Sequence, residues 1–308
     1  MTGVTRTVVC AGLVTVDLVH VVAGPPSPDQ KIVGLSQRIE VGGPAANAAR
    51  VASALGLSAR LIAPFGDSPL TGWVRSALTA EGVEWVDPVA RQPNPSPMSS
   101  VMINAADGSR TVVSGGAPPH LGDSGHLAAR CAEAVAGASA VLVDGHGGSL
   151  PAAAARAGRA HGIPVLLDGG SYKDGMESYL PDVDLALLSA DFRAGDGGDP
   201  LAWCLGAGAR VAAASGAAGP IRLLSGATES VVAVPAARRV VDTLGAGDVL
   251  HGATLAALAC VPDPSTYAGV LTFAAEVATA SVEHAGALGW SADPVARDRA
   301  RRALAVLG

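Results

Sequence analysis

The stretch RVVDTLGAGDVLHG, residues 239–252, combines a short apolar run, a turn and the beginning of a helix. Val240 and Val241 are β-branched and favour a strand, whereas Asp242 and Thr243 are residue types of turns and helix caps. The small residues that follow lead into an apolar run with helical character. The pattern predicts a strand that turns into a helix within the stretch itself.

The start of that helix is a predicted anion site. Gly245, Ala246 and Gly247 carry almost no side chain, so their backbone N–H groups stay open to a ligand. These amides and the positive end of the helix dipole attract a phosphate group. A carboxylate beside a phosphate is unfavourable unless it accepts a proton or holds a cation. The position of Asp248, directly after the small residues, therefore indicates chemistry rather than passive binding.

Two common phosphate-binding motifs are absent from the sequence. A P-loop needs G-x-x-x-x-G-K-[ST], but the only lysines, Lys31 and Lys173, follow Gln30 and Tyr172 rather than glycine. The dinucleotide fingerprint G-x-G-x-x-G fails because Leu250 stands at the position of the third glycine. The predicted anion site is therefore of another type.

Residues 242–248, Asp-Thr-Leu-Gly-Ala-Gly-Asp, resemble the D-T-x-G-A-G-D signature of the PfkB, or ribokinase-like, family of carbohydrate kinases. The resemblance implies that Asp248 is the catalytic base. It implies that the amides of Gly245, Ala246 and Gly247 form the anion hole for the transferred phosphoryl group. It also implies ATP as the phosphoryl donor and Mg²⁺ as the metal.

A second glycine-rich stretch, VGGPAANAARVASALG at residues 41–56, begins the first long helix. Proline is favoured in the first turn of a helix, since its missing N–H would be unbonded there. The stretch resembles the family's other signature, in which the glycine pair and an asparagine contact the sugar. Gly42, Gly43 and Asn47 are therefore implied substrate ligands. Pro44 replaces the lysine of ribokinases and the asparagine of ketohexokinases, so one polar contact to the sugar is missing.

Asp17 closely follows the first predicted strand, TVVCAGL at residues 7–13. α/β folds bind ligands at the carboxyl ends of parallel strands, and a lone carboxylate there can accept hydrogen bonds from two sugar hydroxyls. Asp17 is thus a candidate sugar ligand. A solvated turn residue is the alternative on position alone.

Residues 14–40 and 88–115 interrupt the α/β pattern and predict a small β-sheet lid. In the second segment, Asp107-Gly108 joins two short alternating runs, which is a strong hairpin signal. Arg110 on this hairpin is a candidate bidentate ligand for a phosphate or the substrate. A solvated lid arginine is equally compatible with the pattern.

The lid pieces Gly34–Arg38 and Asp107–Thr111 also resemble ketohexokinase. That resemblance implies a lid arginine that reaches the nucleotide. It also implies a homodimer in which two lids clasp each other.

The composition fits one domain over residues 1–308, with 49% hydrophobic residues and a core of ample size. A net charge of −6 and a pI near 5.6 argue against nucleic-acid and anionic-membrane partners. The sequence carries neither signal-peptide features nor an apolar run of membrane-spanning length, so we expect a cytoplasmic protein. The four cysteines lack C-x-x-C spacing and are expected to be reduced.

From residue 138 onward, apolar runs of strand length alternate with helical patterns. This alternation predicts an α/β fold with a central, mostly parallel sheet, and the resemblance implies a three-layer, ribokinase-like arrangement. Two of the predicted strands end in Asp144 and Asp168, which we expect to form a rim of carboxylates with Asp17 and Asp248. After the next strand the family usually carries N-x-x-E, which orients magnesium waters. Here Asp191 is the candidate for a water-mediated contact to Mg²⁺.

Gly216-Ala-Ala-Gly219 resembles the family's G-x-x-G nucleotide loop, where glycine lets the backbone lie beside ATP. Gly216 and Gly219 therefore join Gly245 and Gly247 as nucleotide-binding candidates. The local pattern is weak in a chain with 39 glycines. Its place just upstream of the anion-hole motif is what favours the interpretation.

His251 lies three residues after Asp248, on roughly the same helix face, and we expect a packed, hydrogen-bonded core histidine. The seven histidines show no zinc-binding spacing. A later helix, residues 273–286, should return a loop to Asp242 and Thr243. The family resemblance implies that these two regions can hold a monovalent cation such as K⁺.

Together these features predict an ATP-dependent sugar kinase that phosphorylates a primary hydroxyl. Residues 247–252, GDVLHG, resemble the version of the motif in deoxysulfofructose kinases, which keeps the histidine at 251. Together with Pro44 and the ketohexokinase-like lid pieces, this resemblance implies a ketohexose or a 6-substituted derivative as the substrate. A ribokinase and a nucleoside kinase are the alternatives within enzymes, although the chain has few aromatic residues to stack on a base. A sugar-sensing protein without turnover is the alternative of another class, and the retained Asp248 argues against it.

Overall fold

The computed structural model describes residues 6–89, 97–115, 121–216 and 219–307. The strands are, in chain order, β1 (Thr7–Ala11), β2 (Thr15–Val22), β3 (Ser36–Gly42), β4 (Ser58–Ile62), β5 (Val83–Val86), β6 (Met98–Asn104), β7 (Arg110–Ser114), β8 (Ala140–Val143), β9 (Val165–Gly169), β10 (Leu185–Leu188), β11 (Val211–Gly216), β12 (Gly219–Ser225) and β13 (Thr228–Val232). The α-helices are α1 (Pro44–Ala54), α2 (Thr71–Ala80), α3 (Gly125–Val135), α4 (Leu150–Ala160), α5 (Pro200–Gly206), α6 (Ala246–Cys260), α7 (Tyr267–Ser281), α8 (Gly289–Ala292) and α9 (Pro294–Leu307).

Nine strands form the large sheet, in the order β13-β12-β11-β10-β9-β8-β1-β4-β5. Pairing is parallel from β11 to β5 and antiparallel between β11, β12 and β13. The central strands are continuous apolar runs, and all four residues of β8 and of β10 are buried. Such runs are typical of parallel strands that are covered on both faces.

Two hydrophobic cores lie on opposite faces of the large sheet. Along β1, Val8 and Cys10 belong to one core, whereas Val9 and Ala11 belong to the other, as the period of two along a strand requires. The first core also contains residues of α1, α6, α7 and α9, and the second contains residues of α3, α4 and α5. The predicted three-layer α/β fold with a mostly parallel sheet is confirmed.

A second sheet of four strands has the order β3-β2-β6-β7. It consists of two antiparallel hairpins that are joined by the parallel pair of β2 and β6. Val19, Val101 and Ile103 are buried on one of its faces, and Leu244 packs against them. The sheet therefore lies against the 242–248 motif, and its strands fall within or close to the segments predicted as a lid. Residues 90–96 of those segments lie outside the described part of the chain.

Two local predictions are wrong. Val240 and Val241 form no strand, because the backbone of the half-exposed Val241 pairs with the end of α7 instead, where its N–H donates to Val282 O at 2.8 Å. Asp17 does not lie at the carboxyl end of a parallel strand, since it belongs to β2 of the small sheet. In the described part of the chain, no helix is both long and apolar enough to cross a membrane.

Candidate active site

The first turn of α6 is an open anion cradle. Its N-cap is Gly245, in the left-handed region at φ 74°, and no side chain caps the helix. A Cβ on Gly245 would lie 2.5 Å from Cβ of Ala287, whereas a Cβ on Gly247 would meet no described atom within 4 Å. The leading N–H groups of a helix have no acceptor within the helix itself. Ala246 N makes only a long bond of 3.4 Å, to the carbonyl oxygen of Thr243, and the space above Gly247 is free, so the turn fits a phosphate group.

Asp248 is held by an amide from another helix. It is half-buried, and its Oδ2 accepts a 2.6 Å hydrogen bond from Nδ2 of the buried Asn47 on α1. Arg50, one turn further along α1, donates from Nη1 to Oδ1 of Asn47 at 2.9 Å. Because a guanidinium only donates, this contact fixes the amide with its NH₂ group toward Asp248. The structure brings together two residues that are 201 positions apart.

Asp17 approaches the same place from the small sheet. It accepts a hydrogen bond of 2.7 Å from Oγ1 of Thr15, and a Cβ on Gly42 would lie only 2.0 Å from its Oδ2. Glycine is needed at position 42 because the carboxylate lies against the backbone there. Gly43 has φ 97°, and a Cβ there would lie 2.5 Å from the carbonyl oxygen of Leu13. The glycine pair therefore has a local steric cause in addition to any contact with substrate.

A single cavity of about 210 Å³ joins these groups. The residues on its wall include Asp17, Gly43, Asn47, Leu244, Gly245 and Asp248. Of the substrate-site candidates, Asp17, Gly43 and Asn47 are thus brought to one cavity together with the candidate base. Its small volume is suited to a ligand well below the ~300–1,000 Å³ of typical pockets for drug-sized molecules.

A larger cavity of about 740 Å³ lies between residues 235–239, α7 and α9. Arg238, Phe273, Glu283 and Trp290 are part of its wall, and none of the candidate catalytic or sugar-binding residues is. Volume alone does not identify an active site. The convergence of polar groups beside an open helix terminus does, and only the smaller of these two cavities has it.

The charges around the small cavity oppose full ionisation of its carboxylates. Burial raises the pKa of Asp248, and the negative charge of Asp17 adds to this shift. The hydrogen bond from Asn47 and the His251 ring act in the opposite direction on Asp248. Burial likewise raises the pKa of Asp17. A base with a raised pKa binds a proton more readily than an ordinary aspartate, which is useful in general base catalysis.

The predicted hairpin of the small sheet contacts the 242–248 motif. Nη1 of Arg110 lies 3.2 Å from both the carbonyl oxygen and Oγ1 of Thr243. Oγ1 of Thr243 in turn donates to the carbonyl oxygen of Gly108 at 2.9 Å. Arg110 thus binds the motif rather than pointing away into solvent, and a contact from it to substrate or phosphate stays a prediction.

Asp242, at the other end of the motif, is 3% exposed and accepts hydrogen bonds from three directions. Backbone N–H groups of Leu244 and Gly286 donate to it, each at 2.8 Å. Nη2 of Arg38, on β3 of the small sheet, donates to the same oxygen as Gly286 at 3.0 Å. The contact with Gly286 bears out the predicted return of that loop to Asp242, whereas the helix predicted over 273–286 is α7, which ends at Ser281.

Asp144 and Asp168 do not form the expected rim, because both side chains turn inward and are 4% exposed. Backbone N–H groups of Leu13, Ala45 and His146 donate to Asp144 at 2.8, 3.0 and 2.9 Å. Burial disfavours its ionisation, yet the His146 ring and the backbone bonds from Leu13 and His146 hold the pKa of Asp144 below its usual value. Asp144 therefore anchors the first turn of α1, which carries Asn47.

His251 is a packed core histidine, as predicted, and is 4% exposed. Its Nδ1 lies 2.7 Å from the carbonyl oxygen of Gly247, and its Nε2 lies 2.9 Å from that of Leu187 on β10. Nδ1 also lies 3.4 Å from Oδ2 of Asp168, whose pKa burial raises to about 7. The ring thus fastens the first turn of α6 to the sheet.

The remaining candidates lie at the carboxyl edge of the large sheet. Gly216 and Gly219 pair with each other across the turn between β11 and β12, while Ala217 and Ala218 lie outside the described residues. A Cβ on Gly216 would lie 2.9 Å from the carbonyl oxygen of Pro220, so the hairpin alone accounts for this glycine. Their contact with nucleotide stays a prediction.

Asp191 follows β10 in an exposed turn. The described residues contain no group of three or more His, Cys, Asp or Glu side chains arranged to hold a metal ion. A free carboxylate at the sheet edge is compatible with a contact to Mg²⁺ through water, since this ion keeps several of its waters and binds few protein ligands.

Two residues of the site were not identified from the sequence. Arg50 had a local signal, because it lies three positions after Asn47 on a helix and so on the same face. Arg38 lies in one of the ketohexokinase-like lid pieces, but no pattern indicated its partner, because Asp242 is 204 positions away.

Comparison with known structures identifies the class of fold. The ribokinase of Giardia lamblia is 16% identical, with a TM-score of 0.77 over 98% of this chain and 100% of that one. The ribokinase of Arabidopsis thaliana, solved with ribose and ATP, is 20% identical, with a TM-score of 0.69 over 99% of both chains. The fold is therefore ribokinase-like.

The model of the pfkB family of carbohydrate kinases matches residues 5–292, and the chain belongs to this family of phosphotransferases. Among curated proteins, ketohexokinase of Mus musculus is 28% identical over 108 residues. That alignment covers 35% of this chain and 36% of the ketohexokinase, about a third of each.

Proposed function

We propose that this protein is an ATP-dependent sugar kinase that transfers the γ-phosphoryl group of ATP to a primary hydroxyl of a small sugar. One observation carries the proposal. Asp17, Asn47 and Asp248, from three separate parts of the chain, meet in one cavity beside the uncapped start of α6. The cavity can hold a polyol, and the helix terminus can hold the phosphoryl group that the polyol receives.

Asp248 is the general base in this proposal. Phosphoryl transfer depends mainly on positioning and charge neutralisation, so the base chiefly orients the hydroxyl and accepts its proton late in the reaction. The bond from Asn47 fixes one carboxylate oxygen, which leaves the other free to face the substrate. The amides of Gly245, Ala246 and Gly247 would stabilise the charge on the transferring phosphoryl group.

Asp17 and Asn47 are the sugar ligands in this proposal, with Gly42 and Gly43 giving the ring access to the backbone. Gly216 and Gly219 would lie beside the nucleotide, at the same edge of the sheet. Mg²⁺, held by the ATP phosphates and by water near Asp191, would neutralise phosphate charge. The small sheet is the lid that excludes water from the closed site.

A ketohexose or a 6-substituted derivative is the proposed substrate class. Pro44 at the start of α1 removes one polar contact to the sugar, and the lid carries the ketohexokinase-like arginines Arg38 and Arg110. The cavity of about 210 Å³ suits a monosaccharide better than a nucleoside.

The lid is also the proposed interface of a homodimer. The strand register aligns Ile39, Leu18, Ser100 and Val113 in one row across the outer face of the small sheet. Ile39 and Val113 are 58% and 62% exposed. Exposed apolar residues grouped on one sheet face are typical of an association surface. Light scattering after size-exclusion chromatography should give a dimer, and Ile39→Lys should yield monomers; a monomeric wild type would end this proposal.

The kinase proposal is tested by ADP release over a panel that contains fructose, 6-substituted ketohexoses, ribose and adenosine. We expect the highest kcat/KM with a member of the ketohexose class. Ribose or adenosine as the best substrate would replace the proposed substrate class and keep the kinase. Sugar binding without ADP release by the Mg²⁺-supplied protein would instead favour a sugar-sensing protein.

A further inference from the structure

The buried carboxylate of Asp242 needs a positive partner, because an isolated charge of this kind is strongly destabilising. In this chain the partner is an arginine of the small sheet. Nη2 of Arg38 lies 3.0 Å from Oδ2 of Asp242, and Nε of Arg38 lies 2.7 Å from Oε1 of Glu40. The side chain of Arg38 is 27% exposed, whereas that of Asp242 is 2% exposed. Glu40 thus holds the Arg38 guanidinium in place, and the guanidinium neutralises the buried carboxylate of Asp242.

The groups around Asp242 do not fit a monovalent cation. Alkali and alkaline-earth cations need several oxygen ligands with free lone pairs, and a carboxylate offers about four such directions. Three of them already receive N–H groups from Leu244, Gly286 and Arg38. A further cation at this carboxylate would also lie beside the guanidinium and be repelled by it.

The neighbouring oxygens are engaged as well. The carbonyl oxygen of Val282 accepts from the backbone of Val241 at 2.8 Å and of Asp242 at 3.3 Å. Oγ1 of Thr243 is bonded to Gly108 and to Arg110. The expectation of a cation at Asp242 and Thr243 is therefore at odds with this geometry.

We infer that the Arg38 guanidinium takes the place of a monovalent cation beside the anion hole, so that turnover does not require K⁺. Arg38 belongs to β3 of the lid, whereas Asp242 starts the loop that leads to Gly245. The positive charge that holds the loop at residues 242–245 therefore belongs to the lid. Withdrawal of the lid leaves the buried Asp242 without its counterion, which couples lid position to the order of the anion hole. Arg38 acts as a positioning residue, since it reaches the reacting groups only through Asp242.

The inference rests on the proposed kinase function, and its test uses K⁺ as the probe. Activity on the best sugar of the panel is measured in potassium chloride and in choline chloride at equal ionic strength, because salt screens charges by itself. Wild-type kcat/KM should be the same in both salts. In choline chloride Arg38→Ala should lose about tenfold in kcat/KM, within the usual range of coupling between sites. Part of that loss should be recovered in potassium chloride, because K⁺ can enter the space beside the exposed acid.

Two matched variants separate charge from packing. Arg38→Lys keeps a positive charge and should stay insensitive to K⁺. Arg110→Ala removes the other lid arginine that binds the motif, but its partner is Thr243 rather than a carboxylate. It should lose activity without gaining a response to K⁺.

The same comparison is made on thermal unfolding, which needs no substrate. K⁺ should raise the melting temperature of Arg38→Ala relative to choline and leave that of wild type unchanged. If none of the sugars is phosphorylated, the proposed function fails while the unfolding measurement still decides the inference. Wild-type activity or melting temperature that rises with K⁺ would overturn it, and so would a folded Arg38→Ala that ignores K⁺ in both assays.

Discussion

Asp242 and Asp248 are the first and last residues of one seven-residue motif, yet their surroundings differ. The carboxylate of Asp242 accepts hydrogen bonds from Leu244, Gly286 and Arg38. In the described part of the chain, Asp248 accepts one side-chain hydrogen bond, from Asn47, and the rest of its carboxylate faces the cavity. The acid with few lone pairs left is suited to hold the loop, whereas the acid with free lone pairs is suited to accept a proton.

The difference is created by distant parts of the chain. Asp242 is paired with Arg38 on β3 of the small sheet, and Asp248 is oriented from α1 through Asn47 and Arg50. The 242–248 motif thus contains two aspartates, and their different tertiary contacts suit one to hold the loop and the other to accept a proton. The predictions below test this division, from the largest expected effect to the smallest.

Replacing Asp248 with Asn should lower kcat by roughly 10² to 10⁴, the usual contribution of a positioned base. The amide keeps the size of the side chain, and its oxygen can still accept the bond from Asn47, so the start of α6 should form normally. ATP should bind as well as before or slightly more tightly, because a negative charge beside the phosphates is gone.

The measurement is kcat together with nucleotide affinity, with Asp242→Asn as the matched control. This control loses structural charge rather than the base, so melting temperature should fall further in it than in Asp248→Asn. An Asp248→Asn enzyme that keeps more than about a tenth of the wild-type kcat, far short of the loss of a base, would remove Asp248 from that role.

Replacing Gly247 with Val tests the anion hole without touching either acid. A Cβ at this position meets open space, so the fold should tolerate the change, but the side chain would occupy the place proposed for the phosphoryl group. We expect kcat to fall by about 10², the scale for loss of an oxyanion-hole donor, with an unchanged melting temperature.

Gly245→Val is the contrasting variant. Position 245 has φ 74°, and a Cβ there would clash with Ala287, so this change should lower stability as well as activity. Equal melting temperatures and equal activities for the two glycine variants would contradict the proposed location of the phosphoryl group.

The sequence predicted the elements whose causes are local. The alternation of strands and helices from residue 138 onward is present, the Asp107-Gly108 turn joins β6 and β7, and α6 starts within the glycine-rich motif. Each of these elements depends on residues that are close to one another in the sequence. The predicted strand at Val240 and Val241 failed because the tertiary pairing with Val282 overrides β propensity.

Sequence motifs predicted part of the candidate site but not its geometry. Asn47 and Asp248 were identified through motifs, yet the bond between them joins α1 to α6, and no local pattern encodes that contact. Asp144 was expected at a ligand-binding edge, but three backbone N–H groups turn it into an anchor for α1. Long-range hydrogen bonds decide which carboxylates remain available for chemistry.

The smallest expected effect is a shift of the pH dependence of kcat/KM in opposite directions for two neighbours of Asp248. A base must be deprotonated to act, so activity falls as the pH drops through the pKa of Asp248, which burial raises above the ordinary aspartate value.

Asn47→Ala removes a donor that favours the charged form of Asp248, so the pKa of Asp248 rises further. The acidic limb of the pH profile, where activity falls with falling pH, then moves to higher pH. Asp17→Asn removes a negative neighbour, so the pKa falls and the limb moves to lower pH. Both shifts should be small beside the loss of activity in Asp248→Asn, and both variants should raise sugar KM while ATP affinity changes little. If the acidic side of the pH profile moves in the same direction in both variants, or stays fixed while sugar KM rises, a group other than Asp248 titrates. Asp248 would then not be the base, and the proposed difference in role between Asp242 and Asp248 would be wrong.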